Sequence, residues 1–388
     1  MGDRLRSAVR RAVWPASTSV DDAQTVVAHE WFTAIGGSDK VAARLARLVD
    51  ADVVYSYAVD RELVDRLGFD VPVVTWRFGE AAARFGRFPI QLFVMPIVWA
   101  ALDLPACRQL VTSSHSCVNA VRADAAHRTS YVHTPMRYAW EWRLERDRLP
   151  AMMRWAMPAA AAWFRWLDRR WSRRVDQFVA NSLLVKDRIR RSYGAQAVVV
   201  NPPIDVEFWT PEPGRALTAA SATNRQASFV VAGRLVPYKR PDLAVDAALR
   251  AGATVTVAGS GSFLDELRDH PLPGVHVIER PSDDDLRQAL RNADALLFPG
   301  IEDFGMLPLE AQACGTPVVA RRAGGALETV LDGETGSFVD GDGVDEWVEM
   351  LEAFDPAAFD RTAVRTHAES FAAERFDGEI LRIVAAAQ

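Results

Sequence analysis

The sequence predicts an α/β protein of two domains, each a doubly wound parallel sheet with helices on both faces. Three observations lead there. The chain has 388 residues, more than a single hydrophobic core usually supports. Its second half alternates short apolar strands with helical stretches, the pattern of successive βαβ units. Strands are also followed by glycine turns, at Gly36-Gly37, Gly233-Arg234 and Gly259-Ser260-Gly261, where the chain must turn tightly into the next helix.

In the first half, a strand over Thr25–Ala28 leads into His29 and the Gly36-Gly37 pair. A helix from about Ser38 to Leu48 follows, with Ser38 as its N-cap. Further strands are expected at 52–57, 71–75, 110–112, 130–132 and 177–180, separated by helical stretches that include an apolar insertion at 81–104. Segment 210–226, TPEPGRALTAASATNRQ, is poor in large apolar side chains and rich in Pro, Ala, Ser and Thr, as interdomain linkers are. Beyond it, strands at 229–232, 254–258, 275–278, 295–298 and 317–320 alternate with helices near 241–250, 262–269, 283–291, 308–314 and 343–353. The stretch from Thr362 to Ala387 reads as helical. The expected plan is a basic segment 1–24, a first domain 25–209, a linker 210–226, a second domain 227–361 and a terminal helical segment 362–388.

Composition excludes several classes. A net charge of −6 offers no global basic excess for counterion release, which argues against nucleic acid as a partner. Cys107, Cys117 and Cys314 show no CxxC spacing and leave one odd, which suits a reducing compartment better than a disulfide framework. Seven scattered histidines show no metal-ligand spacing. The start, MGDRLRSAVRRAVW, is basic but is followed by a polar stretch, so no secretory signal is expected. The apolar run from Phe88 to Leu104 is interrupted by Pro89 and Pro96, and it falls short of the roughly 20 residues a spanning helix needs. Segment 138–175 interleaves Trp140, Trp142, Trp155, Trp163, Trp166 and Trp171 with arginines. That mixture describes either core and helix surface or a helix lying in a bilayer interface. The expected location is cytoplasmic and peripheral on the inner face of the plasma membrane.

The chemistry concentrates between Ala295 and Val330. A short apolar strand there runs into a loop with Glu302 and Asp303, then Gly305, then a helix opened by Pro308 and carrying Glu310. Ligands of open α/β sheets bind at the carboxyl ends of the strands. A helix start favours phosphate, and carboxylates accept hydrogen bonds from sugar hydroxyls. A nucleotide-sugar site is the natural reading. The spacing of Glu302 and Glu310 lets the first face a sugar and the second a ribose; the bland alternative is two surface acids near a helix start. Glycine in Phe304-Gly305-Met306 permits close backbone approach to a ligand. Arg234 and Lys239, with Arg240 beside them, suit a diphosphate whose charge grows as its bond to a sugar breaks; solvated bases near a turn are the alternative. Gly259 and Gly37 mark turns that form part of a nucleotide pocket or approach a phosphate, or that simply turn the chain. His133 ends a strand before Thr134-Pro135, which forces the chain out of the sheet; His29 holds the comparable position after the first strand.

These residues lie in GRLVPYKRPDLAVDA (233–247), AGSGSFLDELR (258–268) and EDFGMLPLEAQACGTPVVARRAGGALETV (302–330). The second half thereby resembles the retaining glycosyltransferases of the "glycosyl transferases group 1" (GT4) family. That resemblance implies the GT-B fold, two Rossmann-like domains facing across a cleft. The first half is similar to bacterial mannosyltransferase-like members that build surface polysaccharides, through VVAHEWFTAIGGSDKVA (26–42), LVTSSHSCVNAVRADAAHRTSYVHTPMRYAWEW (110–142) and FVANSLLVKDRIRRSYGAQAVVVNPPIDVEFW (178–209).

The resemblance implies that Arg234 and Lys239 grip the donor diphosphate, while Glu302 bonds the donor sugar or assists its departure. Gly233, Gly259 and the backbone of Phe304, Gly305, Met306 and Leu307 would line the donor, and Glu310 would take the ribose hydroxyls. His133 would meet the sugar near its C6 hydroxyl and Gly37 the donor phosphates. The final helix would cross back to the first domain, and no metal or other cofactor would be needed. Two segments depart from the pattern: Asn119 and Arg122 stand where a lysine is common after "SSH", and Arg280 where a glycine is. The expected reaction moves a hexose, mannose favoured, from a nucleoside-diphosphate sugar, GDP-mannose favoured, to a glycan or polyprenyl-diphosphate-linked saccharide. The alternatives are a GT-B epimerase or phosphorylase, and a non-catalytic nucleotide-sugar-binding protein.

Overall fold

The computed structural model describes residues 23–34, 36–85, 88–142, 157–212 and 226–386. The basic segment, the middle of the Trp/Arg-rich stretch and most of the linker lie outside the described residues. The chain divides into two compact units, Met1–Asn201 with Asp377–Gln388, and Pro202–Phe376.

The first unit is built on seven strands: β1 (Thr25–Phe32), β2 (Val53–Val59), β3 (Val73–Thr75), β4 (Asp103–Ser114), β5 (Arg122–Val132), β6 (Gln177–Ala180) and β7 (Ala197–Val199). All pair in parallel, in the order β3-β2-β1-β4-β5-β6-β7. Strand order therefore reverses between β1 and β4, the place where a doubly wound sheet opens a crevice at its carboxyl edge. Strand β1 extends to Phe32, so His29 lies within the strand and not after it, as the sequence suggested. A sheet covered on both faces buries every position of a central strand, and His29 and Glu30 are accordingly 0% exposed.

The apolar insertion becomes a helix over Phe88–Ala101 with Pro96 inside it. Met95, Val98 and Trp99 from this helix are buried in the first unit's core, while Ile97 faces solvent. Phe164 and Trp171, from the helix Met157–Ser172, pack into the same core.

The second unit carries six parallel strands: β8 (Ser228–Arg234), β9 (Thr254–Ser260), β10 (Val275–Glu279), β11 (Ala295–Phe298), β12 (Val318–Arg321) and β13 (Gly336–Val339). Their order is β10-β9-β8-β11-β12-β13, with the reversal between β8 and β11. The short strands β7 and β13 were not expected. Neither has a long apolar run, and both gain strand form from pairing with β6 and β12.

The boundary between units falls at Asn201–Pro202, ahead of the expected end at 209. Ile204 and Trp209 are buried in the second unit's core. The Arg365 guanidinium donates to the carbonyls of Trp209 at 3.0 Å and Ala313 at 2.6 Å. The helical tail is two helices, Arg361–Glu369 and Ala373–Ala385. The chain rejoins the first unit at Asp377, whose carboxylate pairs with both Nε and Nη2 of Arg44 at 2.6 and 2.5 Å.

Candidate functional site

In the second unit, the residues leaving β8 and β11 meet at the point of strand reversal. Gly233 takes φ +104, and a Cβ there would stand 3.7 Å from the Lys239 ammonium. Lys239 closes a 3-10 turn over Pro237–Lys239, and its Nζ lies 2.6 Å from Glu302 Oε1. Gly300 makes that pairing geometrically possible: a Cβ there would sit 2.8 Å from Lys239 Cα. Arg234 is exposed at the same edge and donates from Nη2 to the Tyr238 hydroxyl at 2.8 Å. Arg234, Lys239 and Glu302 together line one crevice with Phe298 and Gly300. Arg240 turns away from this role into an ion pair with Asp242 at 3.1 Å.

The Glu302 loop rests on the paired glycines of the next turn. The Gly325 N–H donates to the Glu302 carbonyl at 2.9 Å. A Cβ on Gly324 would come 2.7 Å from that carbonyl oxygen, and one on Gly325 would come 2.1 Å from the Phe304 carbonyl oxygen. The sequence gives no sign that this turn supports the site.

Gly305 then adopts φ +86 and starts the helix Met306–Ala313, two residues before the expected Pro308 opening. No side chain caps this start. Its first-turn N–H groups at Met306 and Leu307 lack intrahelical partners, and Pro308 contributes none. Phe304 is buried against the core at 3% exposure, so its backbone is what the loop presents. Glu310 sits half-buried one turn into the helix.

Gly259 lets β8 and β9 close up backbone to backbone, since a Cβ there would strike the Gly233 carbonyl oxygen at 2.0 Å. The Gly259 carbonyl in turn accepts from the Arg280 N–H at 2.7 Å. Arg280 is held at φ +48, the left-handed region, where the sequence resemblance expects glycine. A non-glycine residue there costs roughly 1–2 kcal/mol. Arg280→Gly should therefore stabilise the protein by about 1 kcal/mol in urea melts, once glycine's own entropy is charged against the gain. An unchanged or lower midpoint would show that the arginine side chain contributes more than its backbone strain removes.

In the first unit, Gly37 is the first residue of the helix Gly37–Leu48, and Gly36, not Ser38, is the N-cap. Asp39 reaches back from the first turn, its Oδ2 accepting from the Gly36 N–H at 3.0 Å. Its Oδ1 lies 3.5 Å from His29 Nε2. His29 Nδ1 is 3.0 Å from Ser113 Oγ, which is 2.9 Å from His133 Nε2. Burial holds the His133 pKa down to about 3, so the ring is neutral. Burial pushes Glu30 up to about 8 although its Oε1 accepts from the Ser116 and Val118 N–H groups at 2.8 and 2.9 Å.

Other positions are structural. Asn119 is buried and accepts from Thr112 at 2.7 Å and Ser130 at 3.2 Å, tying β4 to β5. Asp168 was not anticipated. It is buried, accepts from Trp140 at 2.7 Å and Tyr193 at 2.9 Å, and is pushed up to about 7 by desolvation. All three cysteines are buried and free. Among the described residues, no cluster of three or more His, Cys, Asp or Glu could hold a metal.

Residues 219–354 match the family described as "Glycosyl transferases group 1". The match covers about a third of the chain, within the second unit. Curated relatives include the D-inositol 3-phosphate glycosyltransferases of Mycobacterium sp. (strain KMS), 34% identical over 218 residues, 51% of this chain and 49% of that protein. Another is the Kribbella flavida protein of the same name, 34% identical over 230 residues, 51% of this chain and 53% of that protein. The chain thus spans about half the length of the curated relatives it matches. Among solved structures, the Anabaena protein HepE, determined with UDP and glucose, aligns with TM-score 0.68 at 16% identity, covering 94% of this chain and all of that one. Sucrose-phosphate synthase from Thermosynechococcus elongatus aligns with TM-score 0.67 at 15% identity, covering 94% and 100%. Likeness at this identity establishes the fold, the GT-B class with two Rossmann-like parallel-sheet units.

Proposed function

We propose that this protein transfers a hexose from a nucleoside-diphosphate sugar to a hydroxyl acceptor, with retention of configuration. The observation that carries it is the Lys239–Glu302 pair at 2.6 Å beside Arg234, at the strand reversal of a glycosyl transferases group 1 domain. A diphosphate arriving there meets Lys239, the Arg234 fork and the open N–H groups of Met306 and Leu307. As the sugar bond breaks, charge grows on the diphosphate and these fixed donors stabilise it. Engagement of Lys239 by phosphate frees the Glu302 carboxylate for the sugar hydroxyls. Glu310 takes the ribose hydroxyls, His133 a sugar hydroxyl near C6, and Gly37 the donor phosphates. The departing diphosphate accepts the acceptor's proton. No metal is required, because these cations and N–H dipoles supply the positive field.

GDP-mannose is the donor this reading favours, on the similarity of the first half to mannosyltransferase-like sequences, with a glycan or polyprenyl-diphosphate-linked saccharide as acceptor. The names of the curated relatives, D-inositol 3-phosphate glycosyltransferases, support a second acceptor, an inositol phosphate. A thermal-shift series with GDP, UDP, GDP-mannose and UDP-glucose tests the donor. A ligand at 100 times its Kd stabilises by about 2.7 kcal/mol. GDP-mannose should give the largest shift, and Glu310→Ala should abolish most of it. If none of the nucleotides moves the melting temperature, the reading fails; if UDP-glucose leads, the mannose assignment fails alone. Product analysis separates transfer from epimerisation or phosphorolysis, because only transfer consumes a second, non-phosphate acceptor.

We further propose peripheral attachment to an anionic membrane. Among the described residues no helix is long and apolar enough to cross one. On the helix Met157–Ser172, Trp163 and Trp166 are 49% and 60% exposed. Arg170 on the same helix and Arg173 just past its end are also exposed. Tryptophan beside arginine suits the headgroup boundary of anionic lipid. Wild type should co-sediment with vesicles containing phosphatidylglycerol and not with neutral ones, and a Trp163→Ala, Trp166→Ala double variant should lose most of that binding. Equal recovery of both proteins in the supernatant would refute it.

A further inference from the structure

We propose that Asp39, His29 and Ser113 are positioning residues that decide which ring nitrogen of His133 carries the proton, so that His133 offers an Nδ1 lone pair to a ligand hydroxyl. The argument starts from one hydroxyl between two imidazoles. Ser113 Oγ is 3.0 Å from His29 Nδ1 and 2.9 Å from His133 Nε2. A serine hydroxyl has a single proton, so it donates to one of these nitrogens and accepts from the other. The direction of the chain is set at its far end. Asp39 uses Oδ2 to hold the Gly36 N–H, which leaves Oδ1 facing His29 Nε2 at 3.5 Å. The contact is longer than a formed hydrogen bond, but the carboxylate's negative charge favours an N–H over a lone pair at His29 Nε2, so Nε2 is the nitrogen that keeps its hydrogen. In a neutral His29 ring Nδ1 is then bare and accepts from Ser113. Ser113 accepts in turn from the Nε2–H of His133, and the neutral His133 ring is left with Nδ1 unprotonated.

The placement supports a ligand-facing role. His29 and Ser113 are register partners on β1 and β4, and the His133 N–H bonds the Ser114 carbonyl at 2.8 Å as β5 ends. β1 and β4 flank the reversal in sheet order, where α/β sheets take their ligands, and β5 lies next to β4. His29 and Ser113 are 0% exposed and Asp39 5%, whereas His133 retains partial exposure. His133 is thus the outward end of a chain whose other members solvent does not reach. The Tyr131 ring, 5.1 Å away, and the His115 ring, 6.1 Å away, both set edge-on, fix the plane of the imidazole. A bare nitrogen in that position selects hydroxyl donors and disfavours phosphate oxygens. On the reading above, which this inference refines, the hydroxyl belongs to the donor sugar.

Histidine-selective 15N NMR on the ligand-free full chain at pH 7 reads the tautomer directly. We expect His133 to show protonated Nε2 and unprotonated Nδ1. Ser113→Ala should give a mixture of tautomers, Ser113→Thr should restore the wild-type spectrum, and Asp39→Asn should shift the His29 and His133 signals together. A protonated Nδ1 in the wild type overturns the proposal, as does a His133 spectrum unchanged in Ser113→Ala. If Ser113→Ala fails to fold, the wild-type tautomer and the response to Asp39→Asn still decide. In titrations, Ser113→Ala should weaken GDP-mannose about tenfold while leaving GDP unchanged. Absence of any nucleotide-sugar binding would count against the functional reading and leave the NMR result to judge the chain of bonds.

Discussion

Lys239→Ala is expected to lower turnover roughly a hundredfold or more, the scale of removing one fixed donor from a developing anion. The ammonium stands 2.6 Å from Glu302 and both side chains are only partly exposed, at 19% and 24%. Its loss removes a positive charge from the crevice and leaves the Glu302 carboxylate without its counter-ion there, so the site becomes doubly unfavourable to diphosphate. Stability should change little, because a pair that solvent still reaches contributes about 1 kcal/mol or less. Arg234→Ala should act in the same direction, as its guanidinium is exposed at the same edge and donates to the Tyr238 hydroxyl. Lys239→Arg keeps the charge and should recover part of the rate. Steady-state turnover beside thermal melts distinguishes the cases, and rates within a few-fold of wild type for both alanine variants would remove these residues from the chemistry.

Gly325→Ala should be strongly damaging. The glycine's backbone, at φ −68 and ψ −17, would tolerate alanine. The obstacle is space: the new Cβ would lie 2.1 Å from the Phe304 carbonyl oxygen and 2.3 Å from its Cα. Backbone cannot rotate aside as a side chain can, so the Glu302–Phe304 loop must move. Overpacking of this kind costs about 1–3 kcal/mol. Displacement of a catalytic group by about 1 Å can cost a hundredfold in rate, so activity should fall further than stability. Urea melts and turnover measured on the same preparation test this, and a variant with wild-type turnover would mean that Glu302 does not depend on the platform.

These two sites differ in how far they could be read from the chain. Arg234, Lys239 and Glu302 each follow an apolar strand, and the alternation of strands with helices implies a parallel sheet. Parallel strands bring their carboxyl ends to one edge, so residues far apart in sequence were expected together and are found lining one crevice. The platform role of Gly324 and Gly325 was not legible. Their contacts are with the backbone of Glu302 and Phe304, in another turn, and a glycine pair looks the same whether it turns the chain or supports a neighbour. The start of the helix at Met306 was also misplaced, because Pro308 signals a first turn while the left-handed Gly305 opens the helix earlier.

His29 shows the limit most clearly. A polar pair, His29-Glu30, after three apolar residues reads as the end of a strand, yet β1 continues to Phe32 with both side chains buried. What permits this is a set of distant partners: Ser113 for His29, 84 residues away, and the Ser116 and Val118 amides for Glu30. The glycine at Gly37 and the ring at His133 were recognisable as residues near strand ends. The serine and the aspartate that connect His133 to the interior were not.

The sequence alone determined the two-sheet α/β class, most of the alternation of strands with helices, and the motifs that resemble glycosyl transferases group 1 sequences, because periodicity, turn residues and strand-end motifs are short-range properties of the chain. Only the tertiary structure decided which buried polar groups meet, which glycines bear a neighbouring loop, and which nitrogen of His133 faces outward. Those outcomes depend on partners brought together by the sheet, and a buried polar atom is tolerable only where such a partner arrives.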